Sequence, residues 1–177
     1  MTVQIREAVP GDAAAIAGVH VDTWRTTYRG IVPDAFLDGM DVAARTRRWL
    51  ERIERPSPGV FTLALVHGGA VIGFAVGGPR RDGPAEYDGE LHAICLRAAH
   101  QGQGYGRSLV TAVARRLAAA GQHNMLIWVL AANPACLFYQ ALGGQEVVRR
   151  IEEIGGVELA EIGYGWPDLT PFLEEGT

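Results

Sequence analysis

The sequence predicts a single-domain α/β fold in which helices cover both faces of one mixed β-sheet. Strand-like and helix-like segments alternate in the second half of the chain, which indicates parallel strands joined by helical crossovers. Two Gly-Gly pairs separate apolar runs and indicate tight antiparallel hairpins. With 177 residues, of which 48% are hydrophobic and 20% charged, the chain has the size and composition of an ordinary globular domain.

The first half of the chain is predicted to hold three strands and two helices. The expected strands cover residues 3–6, 60–67 and 70–77, and the expected helices cover residues 13–25 and 42–53. Asp12 is the expected N-cap of the first helix. Gly68-Gly69 turns the hairpin between the second and third strands, and residues 79–89 form a polar loop.

The second half is predicted to hold four strands and two helices. The expected strands cover residues 91–96, 125–130, 146–154 and 157–164, and the expected helices cover residues 108–120 and 134–142. The strand at 125–130 is apolar at every position, which is typical of a central strand covered on both faces. Gly155-Gly156 turns the last hairpin. The core is expected over about residues 3–166, and residues 167–177 are expected to form a loose tail.

Composition excludes several classes of function. A net charge of −4 disfavours a broad nucleic-acid surface, and no apolar run is long enough for a membrane span. The N-terminus lacks the layout of a signal peptide, so a cytoplasmic location is expected. Cys95 and Cys136 lie in apolar segments and are expected to be free thiols, and no metal-ligand spacing occurs.

The most informative segment is the loop at residues 101–107, Gln-Gly-Gln-Gly-Tyr-Gly-Arg, between a predicted strand and a predicted helix. Three alternate glycines let bare backbone N–H groups converge where the positive end of the helix dipole also points. This arrangement predicts a cradle for phosphate groups. A glycine turn without a ligand is the alternative. A dinucleotide-binding fold is a poorer rival, because the GxGxxG spacing is absent.

This arrangement resembles the GNAT superfamily of acyl-CoA-dependent N-acyltransferases. The family motif Gln/Arg-x-x-Gly-x-Gly/Ala stands here at residues 101–106, and a second element, an Asn followed by a helix with an aromatic pair, stands at residues 133–143. The opening at residues 5–8 and Asp12 also match the usual start of the family. One departure is Gly144, where the family often has phenylalanine.

The resemblance covers about residues 3–166 and implies a sheet that is splayed between its fourth and fifth strands. It also implies acetyl-CoA as a co-substrate, with no metal. The glycine loop would hold the pyrophosphate, and the end of the fourth strand would align the thioester. The residues expected to bind the cofactor are Ile94, Cys95, Leu96, Gln101, Gly102, Gln103, Gly104, Tyr105, Gly106, Arg107, Asn133 and Tyr139.

Two residues are expected to carry the chemistry. By resemblance, Tyr139 lies beside the sulfur and protonates the leaving thiolate, the alternative being a packed aromatic side chain. Glu90 is the first choice for the group that takes the proton from the amine, and His92 is the second. A solvated carboxylate at a strand end is the alternative for Glu90. Cys95 is not expected to be a nucleophile, because its apolar strand offers no base.

Trp24, Tyr28, Arg29 and His92 are expected on the acceptor side, where Arg29 would hold a carboxylate of the acceptor. An aromatic contact that packs the first helix onto the sheet is an equally good explanation of Trp24 and Tyr28. Asn133 is both an ordinary helix cap and, by resemblance, a contact to the cofactor arm.

Taken together, the sequence predicts one N-acetyltransferase domain over residues 1–177. It would transfer an acetyl group from acetyl-CoA to a primary amine by direct attack in a ternary complex. The acceptor would be a small molecule or a peptide, and the family implies a possible homodimer. Two alternatives stay open: a CoA-binding sensor or inactive relative, and an interaction protein whose glycines only turn the chain. The sequence does not identify the acceptor or the acyl length.

Overall fold

The structure is a computed structural model and describes residues 3–174. The strands are β1 (Val3–Glu7), β2 (Phe61–His67), β3 (Ala70–Pro79), β4 (Gly89–Leu96), β5 (Met125–Leu130), β6 (Gln145–Ile154) and β7 (Val157–Trp166). The helices are α1 (Ala13–Thr27), α2 (Asp34–Asp38), α3 (Val42–Glu54), α4 (Tyr105–Ala119), α5 (Ala135–Ala141) and α6 (Thr170–Glu174). The strands form one mixed sheet in the order β1-β2-β3-β4-β5-β7-β6.

The pairing of β4 with β5 determines the shape of the sheet. It is parallel, whereas every other neighbouring pair is antiparallel. It consists of two residue pairs, Gly89 with Met125 and Glu90 with Leu126. Beyond these pairs the two strands diverge, so the interior of the sheet contains a wedge-shaped gap. The predicted fold class is therefore confirmed, including the splay between the fourth and fifth strands.

Helices cover both faces of the sheet, as predicted. On one face, α4 buries an apolar stripe that includes Leu109, Val113 and Leu117, and α5 and α6 complete that layer. On the other face, α1 and α3 pack on the sheet through Ile16 and Trp49. The amphipathic patterns of the sequence thus point to the two sides of one sheet. No helix in residues 3–174 is long and apolar enough to cross a bilayer.

Asp12 is the N-cap residue of α1, as predicted, but its side chain makes no hydrogen bond to the start of that helix. Its carboxylate accepts two hydrogen bonds from Arg6, at 2.6 and 2.9 Å, and one from the backbone N–H of Val9 at 2.9 Å. These contacts tie β1 to a short 3-10 turn before α1 and lower the pKa of Asp12. A nearby arginine therefore outcompetes the helix terminus for this side chain.

The loose tail predicted from residue 167 is wrong within the described residues. Leu169 is buried, and Phe172 on α6 is only 4% exposed and packs against the ring of Trp166. The guanidinium of Arg115 on α4 donates to the carbonyl of Phe172 at 3.2 Å. Two apolar side chains are enough to dock a short segment that has too few residues for a visible helical period. The same brevity hid α2, where the sequence pattern predicted no helix.

His20 on α1 makes the stability of the protein depend on pH. It is buried, its Nδ1 accepts a hydrogen bond from Trp49 Nε1 at 3.3 Å, and burial, followed by the charges of Arg45 and Arg52, lowers its pKa from 6.5 to about 4. The unfolded chain then takes up a proton that the folded chain resists. The contribution of neutral His20 to the free energy of unfolding is complete above pH 6.5 and is lost as the pH falls towards 4. It amounts to about 3 kcal/mol over the full window.

We therefore expect the free energy of unfolding to fall between pH 7 and pH 5, and the fall to be smaller in His20→Phe. Urea titrations at both pH values measure this difference. Because both proteins keep every other titratable group, the comparison isolates His20. Equal falls in the two proteins would contradict the assignment.

Candidate active site

The glycine loop leads from β4 into α4, as predicted. Gly102 and Gly104 have φ angles of +72° and +84°, a region that L side chains rarely adopt. A Cβ built on either glycine has no atom within 4 Å. Glycine is needed at both positions for the path of the chain, and the space beside them is open.

Five backbone amides of this loop, those of residues 102–106, lack an acceptor within residues 3–174. Within the described residues, the N–H groups of residues 102–106 donate neither to a backbone carbonyl nor to a side chain. Gln101 Nε2 instead closes the loop by donating to the carbonyl of Leu96 at 3.0 Å, and Gln103 Nε2 donates to Ala99 at 3.2 Å. The result is a row of unpaired donors at the N-terminus of a 15-residue helix, which favours an anionic ligand.

Gly106 is a glycine for a different reason. A Cβ at this position would lie 3.1 Å from the ring of Phe138 on α5. Close packing of α4 on α5 therefore accounts for it, whereas the sequence analysis treated all three glycines as parts of the cradle. Tyr105 is half-buried beside His67 and His100, and Arg107 is exposed on the first turn of α4.

The wedge between β4 and β5 lies next to this loop. Ile94, Cys95 and Leu96 form the end of β4 that has left the β5 ladder. The thiol of Cys95 is buried, which raises its pKa to about 12. Such a thiol stays protonated near pH 7, which agrees with the expectation that Cys95 is not a nucleophile.

Tyr139 lies on α5, near Cys95. It is 4% exposed, and its ring contacts those of Phe138, Tyr164 and Trp166. Burial raises the pKa of its hydroxyl well above 10, with smaller contributions from Tyr28 and Cys95. The hydroxyl thus keeps its proton at neutral pH and has that proton available to donate.

Asn133 connects the start of α5 with Tyr28, the residue that follows α1. Its Oδ1 accepts from the N–H of Ala135 at 2.9 Å, which caps α5, and its Nδ2 donates to the hydroxyl of Tyr28 at 3.2 Å. Tyr28 in turn stacks with Trp24, with 4.7 Å between ring centroids. The structure therefore brings Asn133, Tyr28 and Trp24 together, although Asn133 and Tyr28 lie 105 positions apart in the chain.

Glu90 stands at the last residue pair before β4 and β5 diverge. It is 1% exposed, so it is not a solvated carboxylate. Its Oε2 accepts from the backbone N–H of Arg81 at 2.7 Å, and its Oε1 accepts from Arg81 Nε at 3.0 Å and forms an ion pair with Arg81 Nη2. Both oxygens are therefore engaged by one arginine.

His92 occupies a bulge in β4. Leu91 and Ala93 pair with consecutive residues of β3, which leaves His92 as the additional residue. Its Nε2 lies 3.0 Å from the carbonyl oxygen of Pro79. A carbonyl can only accept, so Nε2 carries the proton and Nδ1 of the neutral ring keeps its lone pair. Burial lowers the pKa of His92, which keeps the ring neutral near pH 7.

Arg29 is engaged elsewhere. Its guanidinium contacts Asp34 at 3.1 Å and Asp38 at 2.8 Å, so that it fastens α2 to the end of α1. Two carboxylates already balance its charge, and the structure gives no support to its binding a third.

Sequence reasoning missed Trp128 and Arg150. The guanidinium of Arg150 lies 3.9 Å from the centre of the Trp128 ring and forms ion pairs of 2.8 Å with Asp82 and Glu161. Trp128 Nε1 is buried with no hydrogen-bond partner among residues 3–174. These residues lie on the face of the sheet that carries Glu90. The unbroken apolar run of β5 gave no signal that the indole of Trp128 retains an unused hydrogen-bond donor.

No group of three or more His, Cys, Asp or Glu side chains within the described part of the chain is placed to hold a metal ion.

Comparisons with known proteins agree with this geometry. A family profile described as FR47-like protein matches residues 84–152, which include β4, the glycine loop and α5. The uncharacterized N-acetyltransferase YuaI of Bacillus subtilis (strain 168) is 43% identical over 168 residues, which cover 95% of this chain and 95% of that protein.

Solved structures share the fold. The PaiA N-acetyltransferase from Thermoplasma acidophilum, in complex with coenzyme A, has a TM-score of 0.69 at 17% identity over 92% of this chain and 98% of that chain. The protein yncA from Salmonella typhimurium, with acetyl-CoA, has a TM-score of 0.69 at 21% identity over 96% and 95%. Because the Bacillus relative matches over nearly the whole length, the chain belongs to the GNAT family and is an acetyltransferase.

Proposed function

We propose that this acetyltransferase moves an acetyl group from acetyl-CoA to a primary amine by direct attack within a ternary complex. The main support for this proposal is the row of unpaired backbone amides at residues 102–106, beside the gap between β4 and β5. Five consecutive donors without a recorded acceptor, next to two glycines with open space beside them, fit a diphosphate, and the free edge of β4 fits an extended chain with amide groups. Two proteins of the same fold were solved with coenzyme A or acetyl-CoA, which supports this choice.

Each residue beside the gap then has its own role in the reaction. The glycine loop and Arg107 hold phosphate groups, and residues 94–96 align the thioester through their backbone. Acetyl-CoA supplies the activated acyl group and a thiolate leaving group. Tyr139 donates its proton to that thiolate, because its hydroxyl is protonated at neutral pH and lies near Cys95 on the free end of β4. Trp24, Tyr28 and the face that carries Trp128 enclose the amine.

For removal of the amine proton, the contacts support His92 ahead of Glu90. His92 has an unused lone pair on Nδ1, whereas both Glu90 oxygens are occupied by Arg81. Glu90 then serves as a positioning residue that fixes Arg81 and the start of β4. The order of the two residues is the reverse of the one that the sequence alone suggested.

The test of the proposed function is an assay of thiol release. The protein is incubated with acetyl-CoA and a panel of amines that includes amino acids, polyamines and peptides with a free N-terminus. Amine-dependent release of free thiol and acetylated product is expected. Binding of acetyl-CoA without release would identify a CoA-binding sensor, and the absence of any thermal shift with CoA would leave only a structural role for the glycines.

The pH dependence of turnover distinguishes the two candidate bases. The neutral form of His92 is the active one, so kcat at saturating amine should decline only below pH 6.5, because burial lowers the pKa of this group. His92→Gln should lower kcat by about 10²-fold or more and abolish this acidic limb. Glu90→Gln is the matched variant and should keep the limb. The opposite result, with the limb lost only in Glu90→Gln, would make Glu90 the base.

A further inference from the structure

Strand β6 is an edge strand with unused backbone groups. The carbonyl of Ala160 on β7 accepts from the N–H of Ala131 at 2.8 Å, so Ala160 directs its polar groups away from β6. Ile151 pairs with Ala160 and therefore has no backbone partner on β7. Because polar groups alternate along a strand, those of Arg149, Ile151 and Glu153 all point outward from the sheet.

The sequence along this edge is complementary to itself. Residues 148–154 read Val-Arg-Arg-Ile-Glu-Glu-Ile. If a second copy runs antiparallel with Ile151 opposite Ile151, then Arg149 lies opposite Glu153 and Arg150 lies opposite Glu152. Val148 lies opposite Ile154 in the same alignment. Every charged residue of this stretch thus faces an opposite charge, a favourable cross-strand pair.

Other registers do not share this property. A two-fold axis through residue 150 places Arg150 opposite Arg150, and an axis through residue 152 places Glu152 opposite Glu152. If the two-fold axis lies between two residues, each outward backbone group of one β6 strand faces a group of the second copy that is already bonded to its own β7. The bulge between Glu146 and Val148 ends the usable stretch on one side, and the Gly155-Gly156 turn ends it on the other.

Edge strands in soluble proteins usually carry devices that prevent such pairing, such as charges of one sign, proline or short length. Here the charges alternate in blocks of opposite sign, no proline occurs, and Ile151 at the centre is 62% exposed. At the other edge of the sheet, β1 has five residues. The edge of β6 therefore lacks these protective devices, and its charge pattern matches that of its own copy.

We propose that two copies of this chain associate through their β6 strands, with the two-fold axis at Ile151, to form one continuous sheet. In this pairing the partner strand lies beside Arg150, which covers Trp128 on the face that carries Glu90. The proposal concerns assembly and does not depend on which amine is acetylated.

Charge reversal tests the register. Sedimentation of the full chain should give twice the 19.0 kDa mass of one copy. Arg149→Glu places a second carboxylate opposite Glu153, and Glu153→Arg places a second guanidinium opposite Arg149, so each variant alone should be monomeric. Mixing the two variants should restore the doubled mass, because each reversed charge then meets its complement. Circular dichroism checks that both variants remain folded.

A crosslink tests the axis independently. In a hydrogen-bonded antiparallel pair, facing Cα atoms lie about 5.5 Å apart, within reach of a disulfide. Ile151→Cys should therefore give a crosslinked dimer under mild oxidation. Glu153→Cys is the matched control, since its copies would be about 14 Å apart along the strands and should not crosslink.

Restored mass in the mixture and a crosslink confined to Ile151→Cys would support the proposal. A monomeric wild-type chain at about 100 μM, a dimer that survives Arg149→Glu, or a mixture that stays monomeric would overturn it.

Discussion

Tyr139→Phe should lower kcat by about 10²- to 10³-fold while the Kd for acetyl-CoA stays within about twofold. The substitution removes one oxygen from a side chain that is 4% exposed and leaves its ring contacts with Phe138 and Tyr164 in place. The thiolate must then leave without a proton donor, which affects the chemical step and not the binding step. Single-turnover kinetics with saturating amine measure the effect.

Tyr164→Phe is the matched control for this experiment. Tyr164 is also buried, and its ring lies 6.1 Å from that of Tyr139, but its hydroxyl accepts a hydrogen bond from Gln140 Nε2 at 2.9 Å. Its loss should cost stability and leave kcat near the wild-type value. If both variants lose turnover equally, packing of the aromatic cluster and not proton donation is responsible.

Gly104→Ala should weaken binding of CoA by about tenfold or more, equivalent to about 1.4 kcal/mol. The new Cβ occupies the open side of the loop at a φ of +84°. The loop must then either hold a strained residue, at about 1–2 kcal/mol, or shift its amides out of line. Calorimetric titration with CoA measures the loss of affinity.

Gly121→Ala separates strain from binding. Gly121 follows the far end of α4 with a φ of +87°, and a Cβ there also has nothing within 4 Å. Both variants should therefore lose a similar few degrees of Tm, whereas only Gly104→Ala should lose affinity for CoA. Equal affinities in the two variants would remove the loop amides from the binding site.

Local sequence signals predicted most of the fold. The apolar run at residues 125–130 is β5 without a change in either bound, and both Gly-Gly pairs turn the expected hairpins. These features depend on nearest neighbours, which a single sequence displays. The position of Asp12 at the start of α1 was predicted, but its side chain bonds Arg6 and not the helix. Helix α6 was missed because burial of Phe172, and not periodicity, holds it in place.

In the candidate site, too, features within one segment could be predicted from the sequence, whereas contacts between distant segments could not. The glycine loop is one continuous segment, so its geometry could be predicted from spacing alone. The pairing of Glu90 with Arg81 crosses a loop, and Tyr28 meets Asn133 across 105 positions of the chain. Such contacts depend on how the elements pack, and no pattern within one segment encodes them. This is why the sequence named Glu90 as a base without showing that both its oxygens are taken.

The two residue pairs that join β4 to β5 also give the sheet a mechanical property. Strands β1 to β4 and strands β5 to β7 form two parts of the sheet. The pairs Gly89–Met125 and Glu90–Leu126, which we call the hinge, join these parts. Gly89 lies within this hinge, and a Cβ there would come within 2.7 Å of the carbonyl oxygen of Asn124. A side chain at that position would collide with this carbonyl and disturb the two residue pairs that hold β4 beside β5. We expect such a substitution to change the width of the gap without altering any residue that lines it.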